Sequence, residues 1–378
     1  MKKLTVLLSV LVILSLILTS AISCSSSPAP SKSAAPPPAS AAAPSTTQAA
    51  APAGTTIALK IATYMPATNY VQTQQFPAYF KLIEEATKGK YTFKPEFFPV
   101  GTLLAPPDIH DGVVKGIADV GQMATEYTPG RFPVMSTLLV SGVAPQKNCN
   151  DGARTGWEFY KKYQPQEFKD VKVLYTYGIG PGALHSSKAV KSVADMKGLK
   201  IRGAVRGVQA LGAEPFNVPM GEVYESVKKG LFEAMVGPAE TLKAWKLNEI
   251  FHYSTLVPGL YFGLQTIIMN KNTYQGLPED LRAAIDSVSD AAAKRTGEIW
   301  EYYQQEGYEY AKSQPGGHEI IELPASEIAL MNDKFKPVIA DYIKTELDGK
   351  GFPGQQMVQE AGKIAAESVA MTYGTWKP

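Results

Sequence analysis

Residues 195–207, DMKGLKIRGAVRG, put one guanidinium where it can do chemistry. The stretch reads as a turn, a short strand over residues 199–202 and a second glycine. Leu199 and Ile201 face one side of that strand, Lys200 and Arg202 the other. Arg202, at the strand's end, therefore meets either water or a ligand. Other reactive groups are scattered. Four histidines, His110, His185, His252 and His318, stand alone, and none forms a metal pair at helical spacing. Asp108 and Asp111 flank His110, but the segment reads better as the solvated start of a helix than as a metal site. Ser186 and Ser187 follow His185, yet adjacency along the chain does not set a nucleophile against a base. No Cys-x-x-Cys, Gly-x-Ser-x-Gly or Walker-type phosphate loop occurs. The expectation is a chain with no catalytic residues, no metal and no cofactor.

One motif argues for a nucleotide. YGIGPGALHSS contains Gly178-x-Gly180-x-x-Ala183 directly after a strand, and Arg202 lies where it could receive a 2′-phosphate. A dinucleotide site also needs a long helix opening at the third position, so that its N-terminus meets the pyrophosphate. His185, two serines and a charged turn stand there instead.

The elements that must hold these residues follow from periodicity. TIALKIATYMP (55–65) alternates as a strand, TQQFPAYFKLIEEATKGK is helical with Lys88-Gly89 as its stop, and YTFKPEFFP is a second strand. PPDIHDGVVKGIADVGQMA gives a helix, a glycine break and a strand. Strand, helix, strand, helix, strand predicts an α/β fold with a mainly parallel sheet. The order returns after DVKVLYTYG (170–178). VVKGIADVG (113–121) and SVKKGLFEAMVG (226–237) each run amphipathic helix, Lys-Gly, an apolar residue, an acid and a strand. The echo is too short to be a repeat, and any two helix–strand joins share some of it, but it suggests two similar lobes. YFGLQTIIMNK is a further strand. LPEDLRAAIDSVSDAAAKRTGEIWEYYQQEGYEYAKSQ, with Pro278 at its start and Pro315-Gly316-Gly317 at its end, predicts one helix of more than about 30 residues, roughly 50 Å long. A helix of that length can brace two lobes. HEIIELP is a short strand, and helices near 325–346 and 354–371 close the chain.

The N-terminal region reads differently. Lys2 and Lys3 precede an apolar run from Leu4 to Ser23, the pattern of a secretory signal peptide over residues 1–23. Ala21-Ile22-Ser23-Cys24 resembles the lipobox of bacterial lipoproteins, which implies an acylated Cys24 held in a lipid bilayer; an uncleaved membrane helix and plain secretion are the alternatives. Residues 25–54, almost all Ser, Ala, Pro and Thr, have nothing large to bury and read as a disordered tether. The folded part then runs from 55 to 378. With Cys24 lipidated, Cys149 has no partner, so no intrachain disulfide is expected. The net charge of +2 disappears with Lys2 and Lys3, which leaves no basic surplus for nucleic acid.

DMKGLKIRG, LGAEPFNVPMGEVYESVKKG and LPEDL, in that order, together with ATKGKYTFKPEFFPVGTL and YTPGRFP, resemble the substrate-binding proteins of tripartite ATP-independent periplasmic (TRAP) transporters over about 57–371. The resemblance implies a two-lobed, type II-like periplasmic clamshell with a long bracing helix. Its lobes would take about 55–179 and about 180–262, each with later segments. It would close on a small organic acid and deliver it to the membrane subunits of a TRAP permease; it is not an enzyme. The family's carboxylate-binding arginine falls on Arg202, whose fork of N–H donors matches the two oxygens of a carboxylate. Gly203 and Ala204 leave room beside it. Two family features are missing: Gly182 stands where many members carry a second arginine, and Gly237 where many carry an asparagine. One cation and more apolar wall imply a monocarboxylate, aromatic or branched, over a four-carbon diacid. Strand ends facing the cleft supply the wall: Tyr64, Gln122, Met123, Thr125, Phe216, Asn217, Tyr261 and Phe262. An exported enzyme using the same cleft, or a receptor feeding a signalling protein, are the rival readings.

Overall fold

The computed structural model describes residues 54–378. The expected signal peptide, Cys24 and nearly all of the tether lie outside them. Among the described residues the strands are β1 (Thr55–Ala62), β2 (Tyr91–Phe98), β3 (Val120–Ala124), β4 (Val171–Ile179), β5 (Ala183–Ser186), β6 (Lys200–Arg202), β7 (Glu214–Phe216), β8 (Ala234–Gly237), β9 (Tyr253–Leu256), β10 (Gly263–Asn270) and β11 (Glu319–Glu322). They form two sheets, β2-β1-β3-β10-β4 and β11-β9-β5-β8-β6-β7, each the centre of one lobe.

Both sheets are mixed, which corrects the expectation of a mainly parallel one. β1 runs parallel to β2 and β3, and β6 runs parallel to β7 and β8. The chain then changes sheet between β4 and β5, and again between β9 and β10. β10 lies antiparallel between β3 and β4, and β5 antiparallel between β8 and β9. A strand that enters from the other lobe arrives at the opposite end of the sheet, so its direction reverses.

The echo seen in the sequence extends to individual hydrogen bonds. After the helix Ile109–Val114, the amides of Lys115, Gly116 and Ile117 bond the carbonyls of Asp111, Val113 and Gly112 at 3.0, 3.0 and 2.9 Å. After Val223–Lys228, those of Lys229, Gly230 and Leu231 bond Glu225, Val227 and Ser226 at 3.0, 2.9 and 2.9 Å. Gly116 (φ +73°) and Gly230 (φ +74°) both take the left-handed conformation that ends the helix.

Each lobe builds its own core. In the second, the period of two along β8 sends Ala234 and Val236 to an apolar cluster with Ile201 and Phe335, and Met235 to one with Phe232 and Phe251.

The long helix expected over residues 278–314 is two helices, Glu279–Ser287 and Ser289–Ser313, broken at Val288. The Ser287 and Ser289 hydroxyls bond back to the carbonyls of Ala284 and Ile285 at 2.8 and 3.3 Å, a habit of serine that loosens a helix. The second helix still touches both lobes. Trp300 Nε1 donates to Gln75 Oε1 at 3.0 Å in the first. Gln304 accepts from Ala239 N at 2.7 Å and donates to Pro181 O at 2.8 Å, holding the second lobe and the crossover. A Cβ on Gly307 would sit 2.2 Å from the Ala239 carbonyl oxygen, so the helix rests directly on backbone.

Gly307→Ala is therefore expected to lower stability by about 1–3 kcal/mol in urea unfolding. Gly276→Ala, where nothing lies within 4 Å of the new methyl, leaves stability unchanged or slightly raised. Glu240 offers a second test. It is buried, its Oε2 has no hydrogen-bond partner among the described residues, and burial pushes its pKa from 4.5 to about 8. The unfolded chain ionises at the lower value, so this residue's contribution to stability is full below pH 4.5 and falls as the pH rises to about 8. Glu240→Gln should raise the melting midpoint over the parent at pH 8 and leave no such gain at pH 4. Glu126 and Glu167 shift in the same direction, so the difference between variant and parent is the quantity to read.

Candidate functional site

Arg202 is the last residue of β6, in register with Phe216 on β7 and Met235 on β8. Beyond it the chain must turn sharply. Gly203 has φ +93°, and a Cβ there would meet the Val236 carbonyl at 2.8 Å, so glycine is required. Ala204 follows at φ +45°, an uncommon conformation for a residue with a side chain. The turn leads into the helix Val205–Ala210 and leaves the Arg202 side chain buried at 8 % exposure.

The guanidinium is held by neutral acceptors. Nε donates to the Val218 carbonyl at 2.9 Å and Nη2 to the Tyr127 hydroxyl at 3.4 Å. Nη1 makes no hydrogen bond among the described residues. Tyr127 belongs to the first lobe, on the turn after β3, and its hydroxyl also accepts from Met220 N of the second lobe at 3.1 Å. One phenol thus ties the lobes together at the arginine.

Arg202 opens onto a cavity of about 190 Å³ between the lobes. The first lobe contributes Thr125, Glu126 and an apolar wall that includes Pro133, Leu139 and Val140; the second contributes Arg202 to Gly207 and Asn217. Tyr261 and Phe262, on the segment returning to β10, close one side. The Tyr261 ring sits between two glycines. A Cβ on Gly182 would fall 2.5 Å from the ring, and one on Gly263 2.3 Å from its hydroxyl. The position where the resemblance implies a second arginine is thus filled by an aromatic wall that only a glycine admits.

The mouth carries its own charges, already paired. Arg206 donates to Asp341 at 3.0 Å and to Glu346 at 2.9 Å and lies over the Tyr342 ring. Lys350 bonds Glu346 at 2.9 Å and the Gly130 carbonyl at 3.1 Å, joining this group to the first lobe. Arg202 has no such ion pair among the described residues. Glu126 has an Oε2 out of contact with solvent and without a partner among the described residues. Burial pushes its pKa up to about 7, against the pull of its own amide, the Arg202 charge and the Leu264 amide. The Thr125 hydroxyl also lacks a partner among the described residues.

Of the residues expected from sequence, Arg202, Thr125, Asn217, Tyr261 and Phe262 line this one cavity. The others lie apart from its lining. Tyr64 donates to Gln265 Oε1 at 2.7 Å and packs edge-on against Tyr127. Gln122 is fully buried, accepting from Thr63 at 2.6 Å and donating to Tyr177 at 3.0 Å. Met123 is core, and Phe216 packs on Phe232 with ring centres 6.0 Å apart. Gly237 lends its carbonyl to His185 Nε2 at 3.1 Å. Sequence reasoning missed Glu126, Arg206 and Glu346.

The chemistry considered and set aside also has a place. Ala183, the third position of the dinucleotide motif, opens strand β5 and no helix. Asp111 pairs with Arg131, and His110 lies 2.8 Å from the same guanidinium. His185 contacts the Ser254 hydroxyl at 2.7 Å, but both are buried within the second sheet and neither lines the cavity.

A family model for bacterial extracellular solute-binding proteins, family 7 (DctP), matches residues 61–345. The 2,3-diketo-L-gulonate-binding periplasmic protein YiaO of Escherichia coli is 29 % identical over 221 residues, 56 % of this chain and 65 % of that protein, a little under two thirds of its length. A TRAP solute-binding protein from Rhodoferax ferrireducens, solved with copurified benzoate, superposes with a TM-score of 0.75 at 26 % identity, covering 82 % of this chain and 98 % of that one. A marine metagenome TRAP solute-binding protein specific for aromatic acid ligands, solved with 3-hydroxybenzoate, gives 0.77 at 25 % identity, with 83 % and 99 % covered.

Tyr127→Phe removes the acceptor of both Arg202 Nη2 and Met220 N. Affinity for a carboxylate at Arg202 is expected to fall about 3–10-fold, with the cation still present, when measured by isothermal titration calorimetry. An unchanged affinity would mean that the Val218 carbonyl orients the guanidinium unaided.

Proposed function

We propose that this chain, which belongs to the bacterial extracellular solute-binding proteins of family 7, captures a small aromatic or branched monocarboxylate and delivers it to the membrane subunits of a TRAP permease. Membership makes it a receptor and not an enzyme. The observation that carries the choice of guest is the pairing of one unneutralised guanidinium, Arg202, with a Tyr261 ring laid over Gly182. A carboxylate takes the free edge of the fork. The rest of the guest meets a largely apolar wall of prolines, aliphatics and aromatic rings, in which Thr125, Ser136, Ser141 and Asn217 are the neutral polar groups. The cavity suits a single ring, since an apolar cavity of roughly 150 Å³ already holds a benzene. A four-carbon diacid would leave its second charge among those apolar groups, at the cost of an unpaired buried carboxylate. The aromatic acids bound by the two structural relatives support the same class of guest.

The receptor would work outside the cytoplasm, in keeping with the periplasmic proteins it resembles. The apolar leader and Cys24 support a lipid-held form, in which the Ser/Ala/Pro tether lets the clamshell reach its permease.

Thermal shift with a panel of acids tests this reading. Benzoate, 3-hydroxybenzoate and mandelate should raise the melting midpoint, while succinate and malate should not. Arg202→Met should weaken binding of the responding acid by about 10–100-fold, the worth of charge-assisted hydrogen bonds to a carboxylate. Tight succinate binding with no response to aromatic or branched acids would refute the proposed guest.

A further inference from the structure

We propose that the site takes up a proton together with its anion: Glu126 is a neutral acid when the cavity is filled. The inference rests on the reading of the cavity as a carboxylate site. It follows from counting charges. Arg202 and Glu126 line the same cavity of about 190 Å³, as do Arg206 and Glu346, which pair with each other at 2.9 Å. That pair set aside, the carboxylate of a guest leaves one cation facing two anions. The arginine can neutralise one of them. Among the described residues no other cation of the lining is free to answer the second, because Arg206 at the mouth is already shared between Asp341 and Glu346. The surrounding wall of Pro133, Leu139, Val140 and Phe262 offers no charge. Two carboxylates crowded into one apolar site cannot both stay ionised; the second takes a proton.

The groups facing Glu126 from each neighbouring element agree. Arg202 comes from β6. Tyr64, Tyr127 and Tyr261, from the end of β1, the turn after β3 and the segment before β10, are each affected by its charge. These phenols stay neutral throughout the working range, since burial pushes all three above their ordinary value. The nearby charge that holds the Glu126 pKa down is Arg202, and a bound carboxylate cancels it. Before binding, the group sits at about 7, poised to change state. Its Oε2, closed off from solvent and without a hydrogen-bond partner among the described residues, is the atom that would carry the hydrogen.

The alternative way to balance the site is a guest that brings its own positive charge, leaving Glu126 ionised. The two differ in what calorimetry reads. The parent protein is titrated with mandelate, benzoate and phenylglycine at pH 6, 7.5 and 8.5, in buffers of different ionisation enthalpy. The expected result is no proton uptake at pH 6, rising toward one proton per bound acid at pH 8.5. Kd should be flat below pH 7 and increase up to about tenfold per pH unit above it. In Glu126→Gln both the uptake and the pH dependence should vanish. Binding without uptake at pH 8.5 overturns the inference and leaves the carboxylate receptor standing. So does uptake that persists in Glu126→Gln, or phenylglycine binding more tightly than mandelate with no proton. Failure of every acid to bind overturns the receptor reading, and this inference with it. The parent titration decides the matter even if the variant does not fold.

Discussion

A buried cation keeps its attraction for an incoming anion only if the protein leaves it without a counter-charge. Arg202 meets that condition because a carbonyl and a phenol, both neutral, fix its plane. Arg206, four residues on, shows the opposite arrangement: two carboxylates share it, and it serves as a link across the mouth. The same residue type thus plays two parts according to what lies opposite. Glu126 is the group that could quench Arg202, and burial weakens that hold by raising its pKa to about 7, so near neutral pH it is only partly ionised despite the guanidinium charge.

Glycine is the means by which the surroundings of Arg202 stay both tight and uncharged. Gly203 turns the chain under the Val236 carbonyl, which frees the arginine to point into the cleft. Gly182 and Gly263 accept the Tyr261 ring from either side. The ring then occupies the place a second cation would need, so the loss of charge and the gain of apolar wall are one structural event. The character of the wall here is set by the absence of side chains as much as by their presence.

Strand alternation and a following glycine left Arg202 open between water and a ligand; the resemblance to TRAP substrate-binding proteins is what singled it out. Thr125, Asn217, Tyr261 and Phe262 were legible as residues at strand ends. Gln122 and Met123 share that signal and yet face the interior, because the end of β3 is buried on both faces and alternation no longer separates cleft from core. Glu126 lies in TEYTPG, which reads as a polar surface turn, and nothing local reveals that a second lobe will cover it. The parallel halves of each sheet were readable from the order of elements. The antiparallel crossovers were not, because the direction of β5 and β10 is decided by where the opposite lobe sits. The break at Val288 was hidden for a different reason: SVSD keeps helical periodicity, and only the serine back-bonding loosens it.

The correspondence of the lobes shows how narrow the functional difference between them is. β2-β1-β3 and β7-β6-β8 share order and direction, and Asp119 N bonds Lys60 O just as Glu233 N bonds Lys200 O, both at 2.9 Å. Ile61 pairs with Val120 and Ala62 with Gly121; Ile201 pairs with Ala234 and Arg202 with Met235. Ala62 is therefore the counterpart of Arg202, and Phe98 the counterpart of Phe216. The two copies of one framework therefore differ in charge at this position: Arg202 gives the second a buried cation, and Ala62, in the core of the first, gives none.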